Sequence, residues 1–209
     1  MLTKSLTRIF LAGSGLLLVF FLIIHLLGLF LAVIAPISFE LYASALHSAS
    51  WVILCEFSLV AIALIHIFLT FTKVLRNFQN RNTGNLVSRR KDFLAIFAAR
   101  SQLIGGIVLL SFLFIHLRQL RFPRPSDGSE LSALQYILSS PVNSSVYIFG
   151  SLALFLHLFH GIESSQRSLG LLTPLNSSLI RAFGRGFSVI ISAGFVLVTA
   201  LLSRSLTNS

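Results

Sequence analysis

Long apolar runs separated by short polar segments dominate the pattern along the chain. Hydrophobic stretches run from Ile9 to Ile34, Trp51 to Thr72, Gln102 to Leu120, Val146 to His160 with its continuation, and Phe187 to Leu202. A helix needs roughly 20 apolar residues to cross a bilayer core, so each run predicts one membrane span. With flanking turns the spans are expected near 9–34, 51–76, 97–120, 144–168 and 184–204. The intervening segments carry loop chemistry: 35–50 contains Pro36, 77–92 contains Asn82, Thr83 and Gly84, 121–145 contains Pro123, Pro125 and Gly128, and 170–186 contains Pro174. Pro141 and Asn143 mark the start of the fourth helix. The expected fold is an all-α integral membrane protein, with residues 1–209 forming one membrane domain of five bundled helices.

Composition strengthens this reading. Apolar residues make up 55% of the chain and charged residues 11%, against roughly 25% charged in soluble domains. Lys4 and Arg8 precede the first run as they would in a secretory signal, but the run's 26 residues exceed an h-region of about 7–15. The single cysteine, Cys55, excludes an internal disulfide and an iron–sulfur cluster, which takes about four thiolates.

The charge of +10, from 16 Lys and Arg against 6 Asp and Glu, would suggest nucleic acid in a soluble protein. Membrane orientation accounts for it here, and no nucleic-acid partner is expected. Lys4, Arg8, Lys73, Arg76, Arg81, Arg89, Arg90, Lys91, Arg100, Arg167, Arg181 and Arg185 fall on one side of the five spans, and Arg118, Arg121, Arg124 and Arg204 on the other. Cytoplasmic loops keep the positive charge, so the amino terminus is expected inside and the carboxyl terminus outside. The basic inner face then suits anionic lipid or a soluble partner.

The chemistry lies in four histidines, His25, His66, His116 and His157, one in each of the first four spans. Ionisable residues in the hydrocarbon are costly and mark function, although one alone is commonly a packing residue. Two ligands of one metal must lie at one depth on different helices. His25 is 17 residues past Arg8 and His116 is 16 past Arg100, each roughly 25 Å from the inner border at about 1.5 Å per residue. His66 precedes Lys73 by 7 residues and His157 precedes Arg167 by 10, roughly 10–15 Å from that border by the same rise. Depth therefore pairs His25 with His116 and His66 with His157.

GLLLVFFLIIHL (15–26) and GIVLLSFLFIHL (106–117) are identical at seven of twelve positions. Their shared Gly-x9-His pattern provides a site where a flat macrocycle can approach the backbone. Paired neutral imidazoles without thiolate or carboxylate suit haem iron better than zinc, giving two stacked haem groups inside the bundle. Phe21, Phe112, Phe155 and Phe68 lie near the ligands as candidate walls. His160, one turn after His157, competes with it as a ligand, and His47 lies in the outer loop.

These residues resemble the cytochrome b membrane anchor of succinate:quinone oxidoreductases, the type with a single five-helix subunit and two haems. The resemblance spans nearly the whole chain through AGSGLLLVFFLIIHLLG, CEFSLVAIALIHI, ARSQLIGGIVLLSFLFIHL and LFLHLFHGIESSQRSLG. It implies that His25 and His116 are axial ligands of the outer haem b and that His66 and His157 are those of the inner one. His157, four residues before Gly161, takes the ligand position over His160.

The resemblance also implies flavoprotein and iron–sulfur subunits of succinate dehydrogenase or fumarate reductase docked on the inner face of a bacterial cytoplasmic membrane. Electrons would pass between the iron–sulfur protein and a quinone, menaquinone in this type. The chain is then an enzyme subunit for electron transfer, while dicarboxylate chemistry belongs to its partners. Glu56 is the candidate quinone or proton site, Arg100 and Arg167 are candidate propionate contacts, and Glu163 is expected to pair with Arg167 at i+4. Leu29, where relatives often have Asn, and Arg167, where many have Gln, depart from the pattern. Other readings are a di-haem anchor of a formate dehydrogenase or hydrogenase, and a haem-free transporter or structural membrane protein.

Overall fold

The computed structural model describes residues 2–79, 92–123 and 128–204, with side chains described from residue 5 onward except at 77 and 78. Arg81, Arg89, Arg90, Lys91 and Arg124, together with the expected turn at Asn82, Thr83 and Gly84 and Pro125, lie outside those residues. Among the described residues the chain is helical and has no strand. In chain order the helices are α1 (Leu2–Ile34), α2 (Pro36–Ser48), α3 (Trp51–Gln79), α4 (Phe93–Arg100), α5 (Gln102–His116), α6 (Glu130–Ser139), α7 (Pro141–Ser168) and α8 (Ser177–Arg204). A five-residue π-helical turn, Leu117–Arg121, continues α5. Five stretches are long and apolar enough to cross a membrane: Ser5–Ile34, Trp51–Arg76, Gln102–Arg121, Pro141–Ser168 and Ser177–Arg204.

Two segments expected as loops contain helices. Pro36 occupies the first turn of α2, where its missing N–H costs no hydrogen bond, so it starts a helix instead of breaking one. The α6 helix follows Gly128, whose φ of 77° turns the chain. Its exposed amino-terminal N–H groups are capped from a distance: the Glu40 carboxylate of α2 accepts from Glu130 N–H at 3.3 Å and Leu131 N–H at 2.7 Å. His47 Nε2 also reaches Glu130 at 2.9 Å. These contacts hold α2 and α6 together at one end of the molecule, where they bury Phe39, Leu134 and Leu138.

The third span differs too. Its expected continuous helix from residue 97 is broken at Ser101 (φ −82°, ψ 0°), which ends α4 and precedes α5. Asp92 caps α4 by accepting from Ala95 N–H at 3.1 Å and also binds the Arg185 guanidinium of α8. These two interactions hold its carboxyl below the usual carboxylate range. The fourth helix begins at Pro141, so Asn143 lies inside α7 instead of capping it. Its side chain donates to Ile137 O at 3.0 Å and accepts from Gln119 at 3.0 Å.

The α8 helix packs along α7, α1 and α6. Buried Gly184, Ser188 and Ser192, spaced every four residues, let its backbone approach closely. A Cβ at Gly184 would stand 3.0 Å from Ile162, and one at Gly194 would stand 2.7 Å from Leu26. The remaining arrangement places the site: α3 packs along α1, and α5 packs along α7, whereas α3 with α7 and α1 with α5 have no extended backbone packing. Across those two boundaries the helices meet through side chains.

Candidate functional site

The side chains that bridge the helix pairs are the four histidines. His25 of α1 faces His116 of α5 with ring centroids 5.9 Å apart and planes at 84°. His66 of α3 faces His157 of α7 at 6.3 Å and 68°. These are the two pairs expected from depth. Two imidazoles ligating one ion from opposite sides, with metal–nitrogen bonds of about 2 Å, hold their centres roughly 6 Å apart. Among the described residues no group of three or more His, Cys, Asp and Glu surrounds a common point. Each pair therefore supplies two imidazole donors without a third His, Cys, Asp or Glu among the described residues.

The repeated Gly-x9-His pattern links the two centres in an unexpected way. Gly15 lies beside His66, where a Cβ would stand 3.1 Å from the ring's Cε1, and Gly106 lies beside His157, where the distance would be 4.0 Å. In each repeat the histidine belongs to one pair and the glycine makes room at the other. At about 1.5 Å per residue the ten-residue offset separates the two levels by roughly 15 Å. Helices α1 and α5 thus carry matching features, with α3 packed along α1 and α7 along α5.

Phe21 stacks on His25 at 5.4 Å and 17°, and Phe112 stacks on His116 at 5.8 Å and 27°, each four residues before its histidine. Phe155 packs on Phe159 instead of a histidine, and Phe68 is exposed. His160 takes no part in either facing pair; it lies half-buried within electrostatic reach of Glu163, Lys73 and Arg167. Arg167 donates to Glu163 at 2.8 Å, one turn away, while Arg100 is exposed at the end of α4. Glu56 accepts two hydrogen bonds from Arg121, at 3.0 and 2.6 Å. The wide π-helical turn after His116 brings Arg121 to this acid.

Several residues at the site carry no obvious sequence signal. Ser14 Oγ lies 3.1 Å from Leu11 O and 3.2 Å from His66 Nδ1; with its proton given to Leu11 O, its oxygen accepts from a His66 ring protonated at Nδ1. That tautomer leaves the Nε2 lone pair for a metal. Gln102 donates to the carbonyls of Leu156 and His157 at 3.1 and 3.4 Å, tying α5 to the ligand-bearing turn of α7. Phe195 of α8 lies 6.0 Å from His25.

Tyr147 packs edge-on against His116 and Phe112, and its buried hydroxyl has no hydrogen-bond partner among the described residues. It did have a signal. Like Gly15, Gly106 and Glu56, it stands ten residues before a histidine on its own helix.

The donor set fits a bis-imidazole tetrapyrrole at each level, and the two repeat glycines clear the backbone at the His66–His157 level. The buried Nδ1 atoms of His116 and His157 have no hydrogen-bond partner among the described residues, so these rings lack the supporting bond that Ser14 offers His66. Removing the Ser14 hydroxyl tests the tautomer argument. Ser14→Ala is expected to weaken haem retention at His66–His157 about tenfold, the low end of the usual effect of a supporting hydrogen bond, because Leu11 O remains near the His66 ring. Titrating haem into the apoprotein measures this, and an unchanged affinity would remove Ser14 from the site.

Fold and site together define a class: an all-helical protein with five candidate membrane spans and two facing histidine pairs. Comparisons with family models, curated proteins and solved structures return no match for this chain.

Proposed function

We propose that the chain is a di-haem cytochrome b that anchors a succinate dehydrogenase or fumarate reductase to a bacterial cytoplasmic membrane and exchanges electrons with a quinone of the menaquinone type. The observation that carries the reading is the pair of histidine pairs, each drawing one ring from α1 or α3 and one from α5 or α7. Packing explains an isolated membrane histidine, but it does not require two such meetings with glycines beside one of them. His25 and His116 would hold one haem b, and His66 and His157 the other. Two such groups would supply one-electron exchange between a soluble partner and a membrane quinone, and with both histidines of a pair engaged the iron would keep no open position for oxygen.

The protein's own residues would divide the remaining work. Apolar helices exclude water from both histidine pairs. Ser14 orients His66, while Gln102 steadies the backbone that carries His157. Arg8, Lys73, Arg76, Arg100, Arg167, Arg181 and Arg185 make one end basic; we assign it to the cytoplasm and to the docking of flavoprotein and iron–sulfur subunits. Arg100 and Arg167 remain candidates for haem carboxylates there.

Glu56, at the far end, is the acid that would exchange protons with quinone. Its two oxygens are both occupied by Arg121, so proton exchange with quinone requires that pair to open. Glu56→Gln is expected to slow quinone reduction by about a hundredfold, the lower range for loss of an acid–base group, with haem content unchanged. Unaltered quinone kinetics in a fully haem-loaded variant would dismiss this role.

The primary test is haem stoichiometry in the detergent-purified chain, using a pyridine haemochrome assay and a reduced-minus-oxidised spectrum. About two haem b per chain is expected for paired bis-histidine sites. A folded chain that neither retains nor takes up haem would return the histidines to packing. Co-purified flavoprotein and iron–sulfur subunits distinguish this anchor from that of a formate dehydrogenase or hydrogenase.

A further inference from the structure

A polar cavity of about 390 Å³ opens where the start of α4 meets the first two turns of α8 and is lined by Asp92, Ser178, Arg181, Ala182 and Arg185. Its two arginines are in different circumstances. Arg185 is bound to Asp92 and lies 5.0 Å over the ring of Phe159, so its charge is neutralised and its position fixed. Arg181, one turn earlier and half-buried, makes no hydrogen bond or ion pair among the described residues. The Ser178 hydroxyl, three residues before it, has none either. Asp92, Arg185 and Arg181 together leave one net positive charge facing the cavity.

The neighbouring surface is apolar. Leu175, Leu179 and Phe183 are 95%, 71% and 68% exposed, just before and within the first turns of a helix long enough to span a membrane. A soluble ion has no use for that surface, and an acidic protein segment would leave it bare. An amphiphile satisfies both parts. We infer that this cavity binds the phosphodiester of an anionic phospholipid, with Arg181 and Ser178 holding the phosphate and an acyl chain lying over Leu179 and Phe183. One free positive charge matches a singly charged phosphodiester, and basic pockets between spans recur as lipid headgroup sites.

The test uses the purified chain, with any subunits that co-purify, in nanodiscs of phosphatidylcholine containing graded phosphatidylglycerol. Lipid retained after extraction is counted by native mass spectrometry. The wild type is expected to retain phosphatidylglycerol preferentially. Arg181→Gln should lower that preference about five- to tenfold, Arg181→Lys should restore most of it, and Arg118→Gln, at the opposite end, should leave it unchanged.

Millimolar inorganic phosphate should not displace the lipid; if it does, the cavity is a free-anion site and the inference fails. Equal retention by Arg181→Gln and wild type also overturns it. If Arg181→Gln does not fold, Ser178→Ala decides: a reduced preference supports the site and an unchanged one rejects it. Haem content enters none of these measurements, so the result stands apart from the proposed electron-transfer role.

Discussion

Replacing His116 with alanine is expected to remove about half of the bound haem and leave the other half with an unchanged reduced spectrum. The ring of His116 meets His25, 5.9 Å away, while His66 and His157 meet each other at a level roughly 15 Å distant by the ten-residue helical offset. Loss of one imidazole of a pair would therefore affect one proposed centre. His25→Ala should remove the same half as His116→Ala, and the double variant should lose no more than either single, because both partners serve one unit.

His66→Ala and His157→Ala should remove the complementary half. A variant combining one change from each pair should lose all haem. His160→Ala should retain both haems, since its ring belongs to neither facing pair. Haemochrome assay and low-temperature difference spectra read these outcomes directly. Complete haem loss from each single variant, in protein that remains folded and monodisperse, would overturn the two-centre arrangement.

The pairs were legible because depth along a membrane helix is nearly one-dimensional. Counting from Arg8, Arg100, Lys73 and Arg167 gives the height of each histidine without knowing which helices touch. Five apolar runs were equally visible, since the bilayer demands their length. Contacts between helices left weaker traces. Ser14 reaches His66 because α1 packs along α3, a relation fixed by helix rotation and absent from either segment alone.

The short helices α2 and α6 escaped the search for long apolar runs. Each buries only one or two side chains, and α6 receives its cap from Glu40, ninety residues away in sequence for the Glu130 N–H. The break at Ser101 and the π-helical turn at Leu117–Arg121 fall at the polar ends of the third apolar run, Arg100-Ser101-Gln102 and Leu117–Arg121, where polar residues mark the end of a span without revealing its backbone geometry. The turn has a consequence for function: it directs Arg121 to Glu56, so the proposed proton site depends on a backbone irregularity next to a proposed ligand, as π-bulges at functional sites often do.

Substitutions at the two repeat glycines separate a cofactor role from ordinary helix packing. A Cβ at Gly15 would approach His66 Cε1 to 3.1 Å and Nδ1 to 3.5 Å, whereas one at Gly106 would remain 4.0 Å from His157 Cε1. Gly15→Ala is thus expected to push the His66 ring by a few tenths of an ångström and shift the spectrum of the His66–His157 haem, while Gly106→Ala fits at van der Waals distance and leaves it unchanged. Gly15→Leu cannot be absorbed by so small a movement. It should abolish that haem and preserve the one at His25–His116, despite being placed on the same helix as His25.

A packing role gives the opposite pattern. If Gly15 served only the approach of α1 to α3, leucine would lower thermal stability without selecting between the centres, and the folded fraction would still carry both haems. Selective loss at the His66 level, caused by a residue ten positions before His25 on another helix from His66, would show that each repeat contributes a ligand to one centre and clearance to the other. Such a division explains why glycine and histidine recur together at this spacing even though they act at different depths.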